Sequence, residues 1–371
     1  ATPSARTDDA LAMLETSWEY NGVRSIEKVR LRVIDLRTPS AVKFSALQFP
    51  VAESYSGLIV YGNTVYTSHF TGTDSTSGRA RFYVDRFDIS DPSAPRRLAS
   101  INVPGSLMHY DGASGRAVTT ELSRVIVRDT TYEVCYARFA YAEFVSNEQV
   151  KGGGGSLPVA TTPASGPIGV SNPGEPSTPV EPPPSPKGIC TGYLQRLHLV
   201  KLAETGAKLE DTLTLKEDQQ LTAASMGDGV VFATLGHGGY YGGRGGGPVA
   251  IDIAIADCFG PCGYGSPAPE PVELLVLGGF GAGKFEQGHI RVEDASNPWW
   301  GFWGSPPVYA YGKRALLLSQ SDIAIVDATT PSTPTIARKI PLIASAQYVD
   351  VRGDTALLTL GPQGVQWLSL K

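Results

Sequence analysis

Residues 32–44 read RVIDLRTPSAVKF, residues 86–98 read RFDISDPSAPRRL, and residues 324–336 read AIVDATTPSTPTI. Each is an alternating apolar run, then a turn built on an acidic residue or Thr/Ser beside proline, then a second alternating run. Alternation at period two predicts a strand, and a short proline corner between two such runs predicts a β-hairpin. A fourth copy, LVKLAETGAKL from Leu199, keeps both runs and loses the proline. A fifth, LVLGGFGAGKF from Leu275, has the same length, with Leu, Val, Gly or Ala, and Lys in register.

The fifth copy contains Gly278, four residues, then Gly283-Lys284, which is nearly the loop that cradles nucleotide phosphates. The residue after Lys284 is Phe285, so the hydroxyl that would hold Mg²⁺ is missing. The run FEQGHIRVED from Phe285 lacks the three-to-four-residue apolar spacing of a helix. The stretch therefore reads as a hairpin corner whose glycines supply turn geometry, and no nucleotide or other cofactor is implied.

Upstream of each hairpin lies a second recurring pair of runs. TVYTSHF at Thr64, AVTTELS at Ala117, VVFATLG at Val230, ALLLSQS at Ala315 and ALLTLG at Ala356 come after LIVYGN, MHYDGASG, AASMGDG, VYAYGK and YVDVRGD. The unit is four strands, repeated along the chain, which predicts an all-β propeller of four-stranded blades. A β-sandwich is the rival and does not predict repeated units. Blades are expected at 54–104, 105–217, 218–295, 305–343 and from 345 onward, about five in all. Residues 1–26 read as an N-terminal extension, with the propeller over 27–371. The last blade ends after its third strand at GVQWLSLK, while residues 41–49 are attached to a third strand of their own. Either closure is irregular, or the chain is part of a larger ring assembled with an N-terminal fragment of the same protein or with other subunits.

Bulk composition agrees. Forty-two glycines and 28 prolines make up about a fifth of the 371 residues, while 42% remain hydrophobic, a balance that needs many turns between short strands. The net charge of -5 and the lack of a basic stripe argue against a nucleic-acid partner. No apolar run reaches the length of a transmembrane helix, and the start at Ala1, with no apolar signal segment, is that expected of a mature or trimmed product. Cys135 and Cys190 bracket a Pro/Gly-rich stretch, and Cys258 and Cys262 enclose FGP. One short cysteine pair is too few for a four-ligand zinc site. Two disulfides and an oxidising compartment are expected, that is a secreted, periplasmic or extracellular envelope setting; free buried thiols are the alternative.

The segments RFYVDRFDISDPSAPRRLASINVPGSL, AIVDATTPSTPTIARKIPL and ALLTLGPQGVQWLSL resemble secreted bacterial β-propeller domain proteins, distantly related to WD-repeat propellers and common in myxobacteria-like envelopes. The resemblance implies fold and an extracytoplasmic setting, and no catalytic residues.

Insertions fall between second and third strands, at 146–189 (Pro/Gly-rich) and 236–270 (Gly- and Cys-containing), and between blades at NPWWGFWGSPP, residues 297–307. In a propeller these connections open on one face, and loops on a rigid scaffold are where binding residues concentrate. Tyr240, Tyr241, Arg244, Trp299, Trp300 and Trp303 are the candidate binding residues, as aromatic anchors for a protein or a surface glycan; a mobile glycine loop and an inter-blade plug are the plainer readings. His69 and His237 fall at matching ends of second strands, where a metal-ligand role and a simple polar role are both open. No G-x-S-x-G, H-E-x-x-H or dinucleotide loop occurs, and Arg352-Gly353-Asp354 reads as a turn. The expected role is a binding or structural scaffold; the alternative is a propeller hydrolase or lactonase with an axial site.

Overall fold

The computed structural model describes residues 4–7, 9–20, 25–38, 40–49, 54–72, 80–139, 141–147, 186–237, 272–279, 286–292, 308–318, 322–344, 346 and 348–370. Six antiparallel sheets succeed one another around a propeller ring. The first contains β1 (Ser4–Arg6), β2 (Ala10–Tyr20), β3 (Ser25–Asp35) and β4 (Lys43–Gln48). The second contains β5 (Ser54–Tyr61), β6 (Thr64–Thr71) and β7 (Arg81–Asp88), with β8 (Arg96–Arg97) and β9 (Ile101–Val103) both paired to β7. The third is built from β10 (Ser106–Asp111), β11 (Arg116–Thr131), helix α1 (Tyr132–Arg138), β12 (Tyr141–Ser146), β13 (Lys187–Leu202) and β14 (Ala207–Thr214). The fourth contains β15 (Gln219–Gly227), β16 (Val230–His237), β17 (Val272–Gly278) and β18 (Glu286–Val292). The fifth contains β19 (Val308–Tyr311), β20 (Arg314–Leu318), β21 (Asp322–Asp327) and β22 (Thr335–Pro341). The sixth has three strands, β23 (Tyr348–Arg352), β24 (Thr355–Thr359) and β25 (Val365–Ser369).

The count of about five blades is thus corrected to six sheets. Residues assigned to an extension contribute β1 and β2, and β2 pairs with β3 over eleven consecutive residues, from Ala10↔Asp35 to Tyr20↔Ser25. The strand hides in the sequence because its buried face is Ala10, Ala12 and Leu14, small residues that do not announce a strand. Residues 43–48 stay with the first sheet as β4, and do not supply a fourth strand to the sixth.

All five proline or glycine corners fall between third and fourth strands, as their alternation predicts. Period two explains the packing. In β17 the run LLVL is buried throughout: Leu274 and Val276 face the fifth sheet with Phe232, Leu317 and Val326, whereas Leu275 and Leu277 face the third with Leu197 and Leu199. Each apolar side chain so buried stabilises by about 1.5–3 kcal/mol. Similar clusters join the first sheet to the second, the second to the third, and the fifth to the sixth.

Three corners share a device that the alternation alone does not reveal. The Asp ending the third strand accepts the N–H two residues on: Arg37 N to Asp35, 3.0 Å; Ser90 N to Asp88, 2.9 Å; Thr329 N to Asp327, 2.9 Å. A tight turn then closes from Ala41 to Thr38, Ala94 to Asp91 and Thr333 to Thr330. Such Asx turns let a short side chain stand in for backbone. The residue just past the third strand, or its last residue in the case of Leu202, also donates back to the first hairpin of its own sheet, at Leu36–Asp9, Ile89–Asn63, Leu202–Gly115, Ala328–Lys313 and Leu370–Asp354.

Candidate binding face

Antiparallel order fixes two ends of the ring. Turns between first and second strands and corners between third and fourth lie at one end. Connections between second and third strands, and from sheet to sheet, lie at the other.

At the corner end several neighbouring sheets contact one another through their corners. Arg37 forks onto Asp35 (2.9 and 2.7 Å) and reaches Asp91 of the next corner at 3.1 Å, while the Ser45 hydroxyl donates to the Pro92 carbonyl at 2.6 Å. The Arg37 fork holds the Asp35 carboxyl well below the usual carboxylate range. Arg86 donates to the Glu204 carbonyl (2.6 Å), and Arg338 to that of Ser369 (2.8 Å). Gly278 lies against Pro331, and a Cβ there would overlap the proline ring; Gly288 lies against the Pro331 carbonyl and Pro334. The glycine that resembled the start of a phosphate loop is therefore a seat for the next corner; Lys284 is outside the described residues. Arg352-Gly353-Asp354 spans the β23–β24 turn, with Gly353 at φ 55°, as expected.

At the opposite end the third sheet grows an arm. β11 and β13 are 16 residues each and pair along their whole length, from Arg116↔Lys201 out to Thr131↔Lys187. Within the ring the far edge of β13 carries β14; further out the same edge carries β12. Thr131 caps α1, its hydroxyl accepting from Val134 N–H at 3.5 Å, and the helix covers one face of the arm. Cys135 and Phe139 there pack on Val125, Val127, Ala142 and Phe144. Gly192 on β13 is required beneath the Phe139 ring, and Gly188 beneath Phe144, since a Cβ at either would overlap the ring. The expected Cys135–Cys190 disulfide is present, spanning 55 residues with its Cα atoms 5.6 Å apart, and both cysteines are buried. Arg138 forks onto Glu217 at 2.7 and 2.9 Å, tying α1 to the start of the fourth sheet. That guanidinium holds the Glu217 carboxyl below its ordinary range.

The insertion expected over 146–189 begins and ends inside this arm, since Ser146 closes β12 and Lys187 opens β13; α1 and β12 were not anticipated. The 236–270 insertion leaves from β16 and returns at β17, and the 297–307 segment lies between β18 and β19, so both are rooted at the same end as the arm. Tyr240, Tyr241, Arg244, Trp299, Trp300, Trp303, Cys258 and Cys262 lie outside the described residues.

His69 is buried on β6 with its Nδ1 against the Asp85 carboxylate, and its ring stacks on Tyr83 at 5.0 Å. Asp85 also accepts from Ser100 (2.5 Å) and Arg97 (2.9 Å). Burial opposes ionisation of Asp85, and the hydrogen bonds from His69, Ser100 and Arg97 outweigh it, holding the carboxyl below its usual range. The group pins β6, β7 and the chain after β8 together, and gives His69 a structural partner in Asp85. At the base of the arm His198 donates or accepts at Thr212 (2.9 Å), with Glu121 at 3.5 Å from its other ring nitrogen; burial pushes the His198 imidazole down despite that carboxylate. Among the described residues no cluster of three or more His, Cys, Asp or Glu could hold a metal ion.

No protein-family model and no curated protein matches the chain. Among solved structures it is similar to an acylaminoacyl peptidase in complex with Z-Gly-Gly-Phe-chloromethyl ketone, with 8% identity and a TM-score of 0.46 over 99% of this chain and 45% of that one. It is also similar to a Pyrococcus horikoshii acylaminoacyl peptidase, with 10% identity and a TM-score of 0.44 over 98% of this chain and 43% of that one. The chain spans less than half the length of either.

Proposed function

We propose that the protein is a binding or structural scaffold module of the secreted bacterial propeller type, working outside the cytoplasm, and that it engages a protein or surface glycan through its insertion-bearing end. The observation that carries this reading is the asymmetry of the two ends. One is stitched corner to corner; the other projects a disulfide-pinned arm and roots the remaining insertions. Tyr240, Tyr241, Arg244, Trp299, Trp300 and Trp303 are the proposed aromatic and cationic contacts, because clustered Trp, Tyr and Arg dominate interface energetics. A buried disulfide in a protein of this size fits an oxidising compartment. Photo-crosslinkers placed at Val134 on the arm and at Lys313 on the corner end test the reading in cells that export the protein. Crosslinks from Val134 alone are expected, lost or weakened in Trp299→Ala/Trp300→Ala. Crosslinks confined to Lys313 would overturn it.

A further inference from the structure

The edge of β11 is treated differently along its length. β10 pairs with it only from Arg116 to Thr120, where Ser106 stands opposite Thr120. β11 then runs eleven residues further, held on its other side by β13. Across the arm, the corresponding outer half of β13 is covered by β12. No described strand covers β11 from Glu121 to Arg128. An eight-residue strand spans roughly 26 Å, and its alternate residues direct N–H and C=O groups outward along that edge.

The side chains on this run alternate in chemistry. Glu121, Ser123, Val125 and Val127 turn toward the helix side, and Glu121 is engaged by Arg196 at 3.3 Å. Leu122 and Ile126, 51% and 50% exposed, lie on the other face, with Arg124 between them and Arg128 beyond Ile126. Neither arginine has a hydrogen-bond or ion-pair partner among the described residues, in contrast to Arg30, Arg32, Arg37, Arg97, Arg116 and Arg314. A bulge at Asp129, φ 55°, ends the run. An edge that no described strand covers, bearing two large aliphatic groups, is a template for another strand, and the disulfide and α1 hold it extended beforehand, which lowers the ordering cost of binding.

We propose that the β11 edge from Glu121 to Arg128 is a strand-addition site for an extended acidic segment of a partner protein. Main-chain hydrogen bonds to the edge supply affinity, and side chains at alternate positions supply selection. Acidic residues four apart in the added strand stand opposite Arg124 and Arg128, with apolar residues opposite Leu122 and Ile126. Charge favours this occupant over a second copy of the chain, since the copy would bring the same two arginines, Arg124 and Arg128, to the edge. This inference rests on the insertion-bearing end being the binding end.

Fluorescence anisotropy with the full chain tests it, using a labelled ten-residue peptide of repeating Glu-Thr-Val-Thr. Two controls carry Lys for Glu, or N-methyl groups on alternate amides. The acidic peptide is expected to bind at least tenfold more tightly than either control. Arg124→Glu/Arg128→Glu should reverse the charge preference, and the milder Arg124→Gln/Arg128→Gln should reduce it while leaving the melting curve and disulfide intact. Equal binding of acidic and N-methylated peptides, or no response to either arginine variant, overturns strand addition of an acidic segment. Concentration-dependent dimers that disappear in the Glu variant would assign the edge to a second copy and overturn it too. If the peptide fails while crosslinks still come from Val134, this inference falls and the binding-end reading stands; crosslinks only from Lys313 remove that reading whatever the peptide does.

Discussion

Breaking the Cys135–Cys190 bond measures how far the arm and the ring fold as one unit. The loop it closes is 55 residues long. In the chain-entropy model that constraint removes about 14 cal/mol/K from the unfolded ensemble, or about 4 kcal/mol at 25 °C. A chain of 371 residues unfolds with an entropy of about 0.8 kcal/mol/K if all of it takes part, so the loss corresponds to about 5 °C in Tm. Full coupling is expected because β11 and β13 are continuous from ring to arm tip, and because the Arg138–Glu217 fork binds α1 to the next sheet. Alanine suits the test because both cysteines are buried and it leaves no polar group in their place. Calorimetric melting of wild type, Cys135→Ala/Cys190→Ala and reduced wild type should show single transitions, the latter two lowered together by about 5 °C. A separate early transition with the main one unmoved, or a shift below about 1 °C, would refute the premise that the constraint acts on the whole fold.

Gly278→Ala should destabilise by about 1–3 kcal/mol in a denaturant titration, because its Cβ meets the Pro331 ring and overpacking costs that much; ATP affinity present in wild type and lost in this variant would restore the phosphate-loop reading. Phe232→Ala empties a fully buried site between the fourth and fifth sheets and should cost about 3–5 kcal/mol, read from the same titration. Asp85→Asn should cost about 2 kcal/mol near neutral pH by weakening hydrogen bonds to a charged group. Because the folded-state pKa of Asp85 is lowered, its ionised form contributes above the unfolded value of about 4, and that contribution is lost as pH falls from there through the lowered folded value. The gap between wild type and Asp85→Asn should therefore narrow below about pH 4; a gap that widens on acidification contradicts the assignment.

Much of the ring was legible because its signals are local. Alternation, Pro-Ser corners and Gly turns all act within a few residues, and they located the hairpins of the ring from Thr64 onward, though not β12 of the arm. The corner aspartates were legible too, since Asp35, Asp88 and Asp327 each stand four residues before a proline, a spacing that yields the Asx turn and would have tightened the alignment. What failed was what depends on distant parts of the chain. The segment TYEVCYARF has the aromatic and β-branched content of a strand, and its seven-residue helix is too short to stand alone in water. It is held by a disulfide and by Phe139 closing over Gly192, neither of which has a local sequence signature. The outer half of β11, SRVIVRDT, alternates plainly, yet nothing in the alternation distinguishes a strand paired on both edges from one that, among the described residues, is paired on one. The six aromatic and cationic candidates fall outside the described residues, so their reading remains one of sequence alone.

The same glycine pattern can serve opposite ends of a fold, and position in the repeat decides which. In LGGFGAGKF the third strand has just ended, so Gly278 lies at the end of the ring where each sheet must accept its neighbour's corner, and Pro331 fills the place a side chain would take. The connection after a second strand lies at the other end of the ring, away from the corners between third and fourth strands. That is the end from which GHGGYYGGRGGGP departs, its first two residues, Gly236 and His237, being the last of β16. Aromatic residues interleaved with glycine in that sequence suit an adaptable contact surface. The division follows from antiparallel strand order: turns that pack on neighbouring sheets lie at one end and the varied connections at the other, which is why the proposed function places the partner there.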